Sequence, residues 1–316
     1  MARAKISSSA SPVPTRPAGL RPLHDPEGGE TGAPPSLRSA IRITWSRLLR
    51  SKTAILGLIL VCCLCVVAVL ADRLAPYSPY AVHVDASLTP PSQAHPLGTD
   101  LLGRDVLSRI LHGSRISLYV GFTSILLALL VGVPLGLLTG FCGGKFDLIA
   151  MRFMDVILAF PLYLQAIVIM VILGPGVTNV ILALGIERVP IFTRLVRGSV
   201  LSVREYPYIE ATHALALSLP RVLLRHVLPN CLAPIIVAAT LSTATAIIVE
   251  ATLSFLGLGT QPPTASWGWD LKQNLTFLEI NAWIAIFPGL SIFFTVLGFN
   301  LLGDGLRDAL DPRLKP

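Results

Sequence analysis

The sequence predicts an all-α, polytopic membrane protein with six transmembrane helices. Of its 316 residues, 53% are hydrophobic and only 14% are charged, whereas soluble domains carry about 25% charged residues. The apolar residues are concentrated in six segments, most of them near the roughly 20 residues that a helix needs to cross a bilayer. The net charge of +7 does not indicate nucleic-acid binding, because the basic residues lie between these segments.

The predicted elements follow in order along the chain. Residues 1–40 are rich in Ser, Pro and Gly, which predicts a disordered tail, and residues 41–52 are predicted to form an amphipathic helix at the membrane surface. Residues 53–306 are the predicted transmembrane domain, and residues 307–316 are a short C-terminal tail. The predicted spans are residues 53–71, 116–140, 153–174, 177–192, 231–258 and 280–303.

The distribution of Lys and Arg predicts the orientation of these spans. Nineteen basic residues fall in the two terminal regions and in two of the connections, whereas five fall in the connections on the opposite side. Loops that face the cytoplasm carry an excess of Lys and Arg. Both termini, and the connection at residues 205–230, are therefore predicted to be cytoplasmic.

The connection at residues 205–230 is unusually polar for this chain and has helical spacing. A run of small residues, at Ala211, Thr212, Ala214 and Ala216, predicts a short helix that docks into a groove of another protein. Pro220 is predicted to start a second helix, and Pro229 to end it before the fifth span. A solvated amphipathic loop is the alternative, but it explains the charges and not the small residues.

The sequence contains no pattern typical of a catalytic, metal or nucleotide site. Gly144-Lys145 is followed by Phe146, where a phosphate-binding loop needs Ser or Thr. The six histidines are scattered, which does not favour a metal site. The five cysteines predict no disulfide framework. We therefore expect a protein that is not an enzyme and uses no cofactor.

Several motifs together resemble the dipeptide/oligopeptide permeases of ABC importers, and in particular the C-type subunit of the pair. Residues Glu210-Ala211-Thr212 and Leu228-Pro229 are similar to the start and end of the EAA loop of these permeases. Thr212 and Ala216 stand where that loop has alanine and glycine. Further matching stretches are residues 95–105, 108–117, 143–161, 193–197, 250–259, 266–268 and 299–313. The resemblance covers about residues 45–314.

This resemblance implies a type I ABC-importer permease bundle with cytoplasmic coupling helices, located in the bacterial inner membrane. It implies a homologous permease as partner in a heterodimer, two ATP-binding subunits, an extracytoplasmic substrate-binding protein and membrane lipid. The implied substrates are dipeptides or oligopeptides, with nickel chelates and glutathione as alternatives. The residues assigned to ATPase docking are Glu210, Ala211, Thr212, Ala216, Leu228 and Pro229.

Charged and polar residues inside the predicted spans are further candidates. Glu250 lies deep in the fifth span, where a carboxylate needs a partner or a water-filled cavity, and its match to the family suggests a structural or gating role. We assign it to the translocation path or its gate together with Gln165, Ser242 and Thr245. Glu187-Arg188 lies outside the family pattern, and we expect these residues to pair with neighbours near the membrane interface.

A stand-alone secondary carrier is the rival prediction for such a bundle. Secondary carriers commonly contain inverted repeats, with broken helices at matching positions in the two halves. The sequence shows no such correspondence between its halves. The permease prediction is therefore favoured.

Overall fold

The computed structural model describes residues 51–310 together with Ser46, Leu48 and Leu49. The predicted tail at residues 1–40, most of the predicted surface helix at residues 41–52, and residues 311–316 lie outside this part of the chain. The regular structure of the described residues is helical. The predicted all-α membrane bundle is therefore confirmed.

The helices follow one another with short connections, apart from two longer segments at residues 75–105 and 256–266. The α-helices are α1 (Lys52–Leu74), α2 (Val106–Cys142), α3 (Gly144–Leu158), α4 (Leu162–Leu173), α5 (Val177–Val203), α6 (Pro207–Ala214), α7 (Leu219–Val222), α8 (Leu228–Phe255), α9 (Trp267–Asn274) and α10 (Trp283–Leu310). Short 3₁₀ turns lie at Val84–Ala86 and Leu275–Phe277. We call the end of the bundle with residues 75–105 the upper end, and the end with residues 204–218 the lower end.

Within the described residues, four helical stretches are long and apolar enough to cross a membrane: α1, α2, the run Leu219–Phe255 and α10. The bent pair α3 and α4 makes a fifth if it counts as one span. The fourth predicted span lies in α5, which has 27 residues but contains both Glu187 and Arg188. Each of the six predicted segments thus lies in helix, although α5 is less apolar than a typical membrane span.

Two prolines act differently from the prediction. The third predicted span is not one helix, because it breaks at Phe160-Pro161 and its halves α3 and α4 meet at 87°. A proline disfavours helical backbone in the residue before it and removes a hydrogen-bond donor. Conversely, Pro229 does not end the helix that begins at Leu219. A π-helical segment at Leu223–Val227 precedes this proline, and its wider turn changes the hydrogen-bond register so that the chain continues into α8.

The core of the bundle is the parallel packing of α2 on α5. A Cβ atom added at Gly132 would lie 2.9 Å from the carbonyl oxygen of Val189, and one added at Gly136 would lie 2.7 Å from that of Thr193. Small residues of this kind allow the backbones of membrane helices to approach closely. Helix α10 packs on α1 in the antiparallel sense at similar glycines, such as Gly298.

We predict that Gly136→Ala destabilises the protein, whereas Gly198→Ala does not. The added methyl at residue 136 meets backbone and side-chain atoms of α5, and overpacking of this kind costs about 1–3 kcal/mol. Gly198 is the matched control, because a Cβ added there meets no atom within 4 Å. Thermal unfolding in detergent measures both variants. Equal melting temperatures would contradict the close α2–α5 contact.

Candidate functional site

The lower-end loop consists of α6, a tight turn and α7. At the end of α6, the Leu215 N–H donates to the Ala211 carbonyl at 3.1 Å and the Leu217 N–H donates to the Thr212 carbonyl at 3.2 Å. Ala216 has φ of 49°, which is the left-handed conformation that usually selects glycine at this position of a helix end. The turn therefore keeps a glycine-like backbone with alanine in place.

The inner face of this loop packs against the bundle. Ile209 and Val222 are buried in one cluster with Val196 and Val200 of α5 and Leu137 of α2. The loop is therefore attached to the two helices whose glycine-mediated packing forms the core.

The six residues predicted to dock onto an ATPase are split between two faces. Glu210, Ala211, Ala216 and Pro229 are exposed, and Leu228 is half-buried. Thr212 is 5% exposed, and its hydroxyl donates to the Ile209 carbonyl at 2.6 Å. The structure thus gathers an exposed acidic and small-residue surface on α6, with Thr212 facing the interior of the chain beneath it.

Ion pairs connect α3 to the lower half of α5. The Arg197 guanidinium donates to both carboxylate oxygens of Asp147, at 2.5 and 2.7 Å. Arg194 pairs with Asp155 one turn earlier along α5. Bidentate Arg–carboxylate pairs fix orientation as well as distance. These two pairs therefore hold α3 across the end of α5 that leads into the loop.

Glu250 lies near the upper end of α8 and is fully buried. Its Oε1 accepts hydrogen bonds from the hydroxyls of Ser254 at 2.8 Å, Ser266 at 3.1 Å and Thr260 at 3.2 Å. These donors span the segment that leads from α8 to α9. One carboxylate oxygen of α8 thus binds the middle of that segment at Thr260 and its last residue, Ser266.

The other predicted path residues lie elsewhere. Ser242 is buried on α8 eight residues before Glu250, which is about 12 Å along a helix. The Thr245 hydroxyl donates to the Leu241 carbonyl of its own helix, and Gln165 is half-buried on α4. Within the described part of the chain, none of these three residues forms a hydrogen bond with Glu250. Its partners, Ser254, Thr260 and Ser266, were not identified from the sequence.

Glu187 and Arg188 differ from their expectation. They form an ion pair with each other, at 2.9 Å, rather than with neighbouring helices. Both are buried, at 5% and 8% exposure, and they lie about 15 Å below the upper end of α5. The pair is therefore in the middle of the bundle and not near its interface.

A second polar cluster at the upper end was not predicted as a unit. Arg109 Nε donates to Asp270 at 2.9 Å, and Arg109 Nη1 donates to the Pro79 carbonyl at 3.1 Å. Arg104 bridges Asp100 at 2.6 Å and Gln273 at 2.8 Å. Burial raises the pKa of Asp270, and the Arg109 guanidinium opposes this effect. The cluster joins the segment before α2, and the start of α2, to α9. The two arginines lie in motifs that resemble the family, but the spacing of residues in the sequence did not reveal their partners.

The polar side chains of these sites join structural elements to one another. Within the described residues, no group of three His, Cys, Asp or Glu side chains is placed to hold a metal ion. The charged residues that the fold brings together pair with one another at the two ends of the bundle and, for Glu187 and Arg188, in its middle. The arrangement suits a protein that transmits displacement between its ends.

We predict that Ala216→Gly stabilises the lower-end loop and that Ala211→Gly destabilises it. Glycine removes the strain of a positive φ at residue 216, worth about 1 kcal/mol, whereas glycine at residue 211, inside α6, costs about 0.5–1 kcal/mol. Amide hydrogen exchange of residues 207–217 measures both effects. Faster exchange in Ala216→Gly would contradict the left-handed turn.

Comparisons with known proteins agree with the fold. Residues 132–316 match the family described as binding-protein-dependent transport system inner membrane component. Residues 39–91 match the N-terminal TM domain of oligopeptide transport permease C. The structure is similar to an inward-facing MetNI methionine ABC transporter, with a TM-score of 0.51 and 19% identity, over 64% of this chain and 96% of that chain.

Curated relatives are similar over most of their length. The dipeptide transport system permease protein DppC of Alkalihalophilus pseudofirmus is 45% identical over 87% of this chain and 90% of the relative. The glutathione transport system permease protein GsiD of Pectobacterium atrosepticum is 45% identical over 89% and 93%. The di/tripeptide permease DppC of Pseudomonas aeruginosa is 43% identical over 88% and 93%. This chain therefore belongs to the family of inner-membrane components of binding-protein-dependent transport systems.

Proposed function

We propose that this chain is the permease subunit of an ATP-driven importer of dipeptides and oligopeptides. It forms half of the translocation path with a homologous permease, above two ATP-binding subunits and below an extracytoplasmic substrate-binding protein. The observation that carries the proposal is the loop at residues 207–217, which exposes Glu210 and Ala211 while its inner face packs on α2 and α5. ATP hydrolysis belongs to the partner subunits.

The orientation follows from charge. Among the described residues, the lower end carries nine basic residues and the upper end five, so we propose that the lower end is cytoplasmic and that both termini lie on that side. The upper-end segments at residues 75–105 and 256–282 then face the substrate-binding protein. In this orientation the loop of α6 and α7 reaches the ATP-binding subunits.

Coupling follows from how the loop is attached. Closure of the ATP-binding subunits displaces α6, and the buried residues Ile209 and Val222 carry that displacement into α5. Helix α2 moves with α5 because their backbones are in contact at Gly136. Packed elements of this kind move as rigid bodies between two states. The bundle thus rocks between inward-open and outward-open forms.

Peptides are the first candidate substrates, and glutathione is the second. Two relatives named above carry dipeptide or di/tripeptide in their names, and one of equal identity carries glutathione. Uptake of a radiolabelled dipeptide, in strains with and without this chain, tests the first candidate. Competition by unlabelled glutathione that exceeds competition by unlabelled dipeptides would favour the second.

We further propose that Glu250 supports the extracytoplasmic gate by holding the segment between α8 and α9 in place. Its Oε1 is the shared acceptor for the hydroxyls of Thr260 and Ser266, which lie in the middle and at the end of this segment. Gly268 packs there with no space for a side chain, since an added Cβ would lie 2.1 Å from the Ala251 carbonyl oxygen. The segment is therefore closely fitted to α8, and Gln165, Ser242 and Thr245 remain candidates for the path below it.

We predict that Glu250→Ala lowers both stability and uptake, whereas Glu250→Gln keeps most of both. Alanine leaves three buried hydroxyls without their acceptor, at about 1–3 kcal/mol for each unsatisfied group. Glutamine keeps an oxygen in the same place. Melting temperature and peptide uptake are measured together, with Thr252→Ala as control, because the Thr252 hydroxyl donates to the Ile248 carbonyl of its own helix. A Glu250→Gln variant that is stable but inactive would instead indicate that Glu250 contacts substrate.

We predict that Glu210→Lys combined with Ala211→Asp abolishes co-purification with the ATP-binding subunits. The two changes reverse a charge and introduce a second one on the exposed face of α6, and a mismatched interface charge costs several kcal/mol. Glu279→Lys is the control, because it reverses an exposed charge at the upper end. The docking proposal fails if the doubly changed complex and its substrate-stimulated ATPase activity survive.

A further inference from the structure

Helix α3 has an unusual position in a membrane bundle. It meets α4 at 87°, and α4 is only 12 residues long, or about 18 Å. Ala166 and Met170 of α4 are buried in one core cluster with Val180 and Ala183 of α5, so α4 lies beside the upper part of α5. A helix that turns through nearly a right angle from α4 therefore runs close to the plane of the membrane.

The ion pairs to α5 set the depth of α3. Arg194 and Arg197 lie 17 and 20 residues after Val177, where α5 begins, or about 26 and 30 Å along that helix. Their partners Asp155 and Asp147 hold α3 at this depth. The hydrocarbon core of a bilayer is about 30 Å thick. Helix α3 thus lies at the lower boundary of the core, where acyl chains meet headgroups.

The exposed surface of α3 has two stripes. Large apolar side chains form one stripe, and their exposed fractions are 49% for Phe146, 66% for Ile149, 62% for Phe153 and 60% for Val156. Lys145 and Arg152 lie beside this stripe and are exposed, as is Leu148 next to them. Arg152 also contacts Asp155 at 3.5 Å. Met154 on the opposite face is buried. An apolar stripe beside a basic stripe is typical of helices that lie in the membrane interface.

We propose that α3 is an in-plane anchor that binds anionic phospholipid. Its apolar stripe enters the acyl-chain region, while Lys145 and Arg152 reach the phosphate groups. The assignment to the cytoplasmic leaflet rests on the orientation given under Proposed function. A second permease subunit is the other occupant to consider for this face. Lipid is favoured because Lys, unlike Arg and Phe, is depleted from protein interfaces, and because anionic headgroups match the charges of Lys145 and Arg152.

Lipid bound to α3 would also act on the coupling loop. The Asp147–Arg197 pair joins α3 to the last two turns of α5, and α6 begins four residues after the end of α5. A lipid-bound α3 would therefore limit how far the lower end of α5 can move relative to the membrane. Anionic lipid bound to α3 would therefore contribute to coupling, in addition to surrounding the protein.

A photo-crosslinking experiment on the full chain in bacterial membranes tests what covers α3. The photoreactive residue p-benzoylphenylalanine replaces Phe153, and in a separate variant it replaces the buried Met154 as control. We expect a phospholipid adduct at residue 153 and none at residue 154, identified by mass spectrometry. An adduct with another protein subunit at residue 153, or the absence of a lipid adduct there, would overturn the proposal.

Charge variants test the preference for anionic lipid. The purified chain is reconstituted in nanodiscs of mixed phosphatidylglycerol and phosphatidylcholine, and the bound phosphatidylglycerol is quantified. We expect Lys145→Glu with Arg152→Glu to reduce it about five-fold or more, since each basic residue near an anionic surface contributes a preference of roughly that size. Lys145→Arg with Arg152→Lys keeps both charges and should retain the parent value.

An unchanged phosphatidylglycerol content in the charge-reversed variant would contradict the proposal, as would an equal loss in the charge-preserving control. Neither experiment requires transport or an ATP-binding subunit. Failure of the lipid anchor is therefore distinguishable from failure of the proposed importer function.

Discussion

Helices α2 and α5 approach so closely at Gly132 and Gly136 that their backbones are in contact. The rest of the structure depends on this approach. It places the lower end of α5 beside α2. Leu137 and Val196 therefore form one apolar surface, against which α6 and α7 pack. In a lipid environment the hydrophobic effect does not drive such association, and close packing supplies much of the free energy. Because the loop packs against both α2 and α5, its movement displaces both helices.

Two ion pairs between charged side chains join elements that are distant in the chain, one at each end of the bundle. At the upper end, Arg109 binds Asp270 and the segment around Pro79. At the lower end, Arg197 binds Asp147 of α3. Removing one partner of a buried ion pair is costly because the other charge is left uncompensated. These pairs therefore hold neighbouring elements together at the two ends of the bundle.

Composition and patterning were sufficient for the fold class, because a hydrocarbon environment requires long apolar helices whose backbone groups are satisfied internally. The same reasoning located the lower-end loop and its second helix, which begins at Leu219 with Pro220 in its first turn. Proline effects were less predictable. Pro161 breaks a helix, whereas Pro229 lies in the first turn of α8, directly after the π-helical segment at Leu223–Val227. The remaining prolines of the long helices lie inside them without a break, at Pro134, Pro190, Pro234 and Pro288.

The amino-acid sequence alone was enough to establish a helical membrane protein, its charge asymmetry and the small residues of the lower-end loop, since these follow from hydropathy and residue size. Only the folded chain showed which faces these residues present. Thr212 faces inward and Glu210 outward, Glu250 meets hydroxyls of its own helix and of the segment that follows it, and α3 bends by 87° from α4. These features depend on how the elements pack against one another, which neither propensity nor spacing encodes.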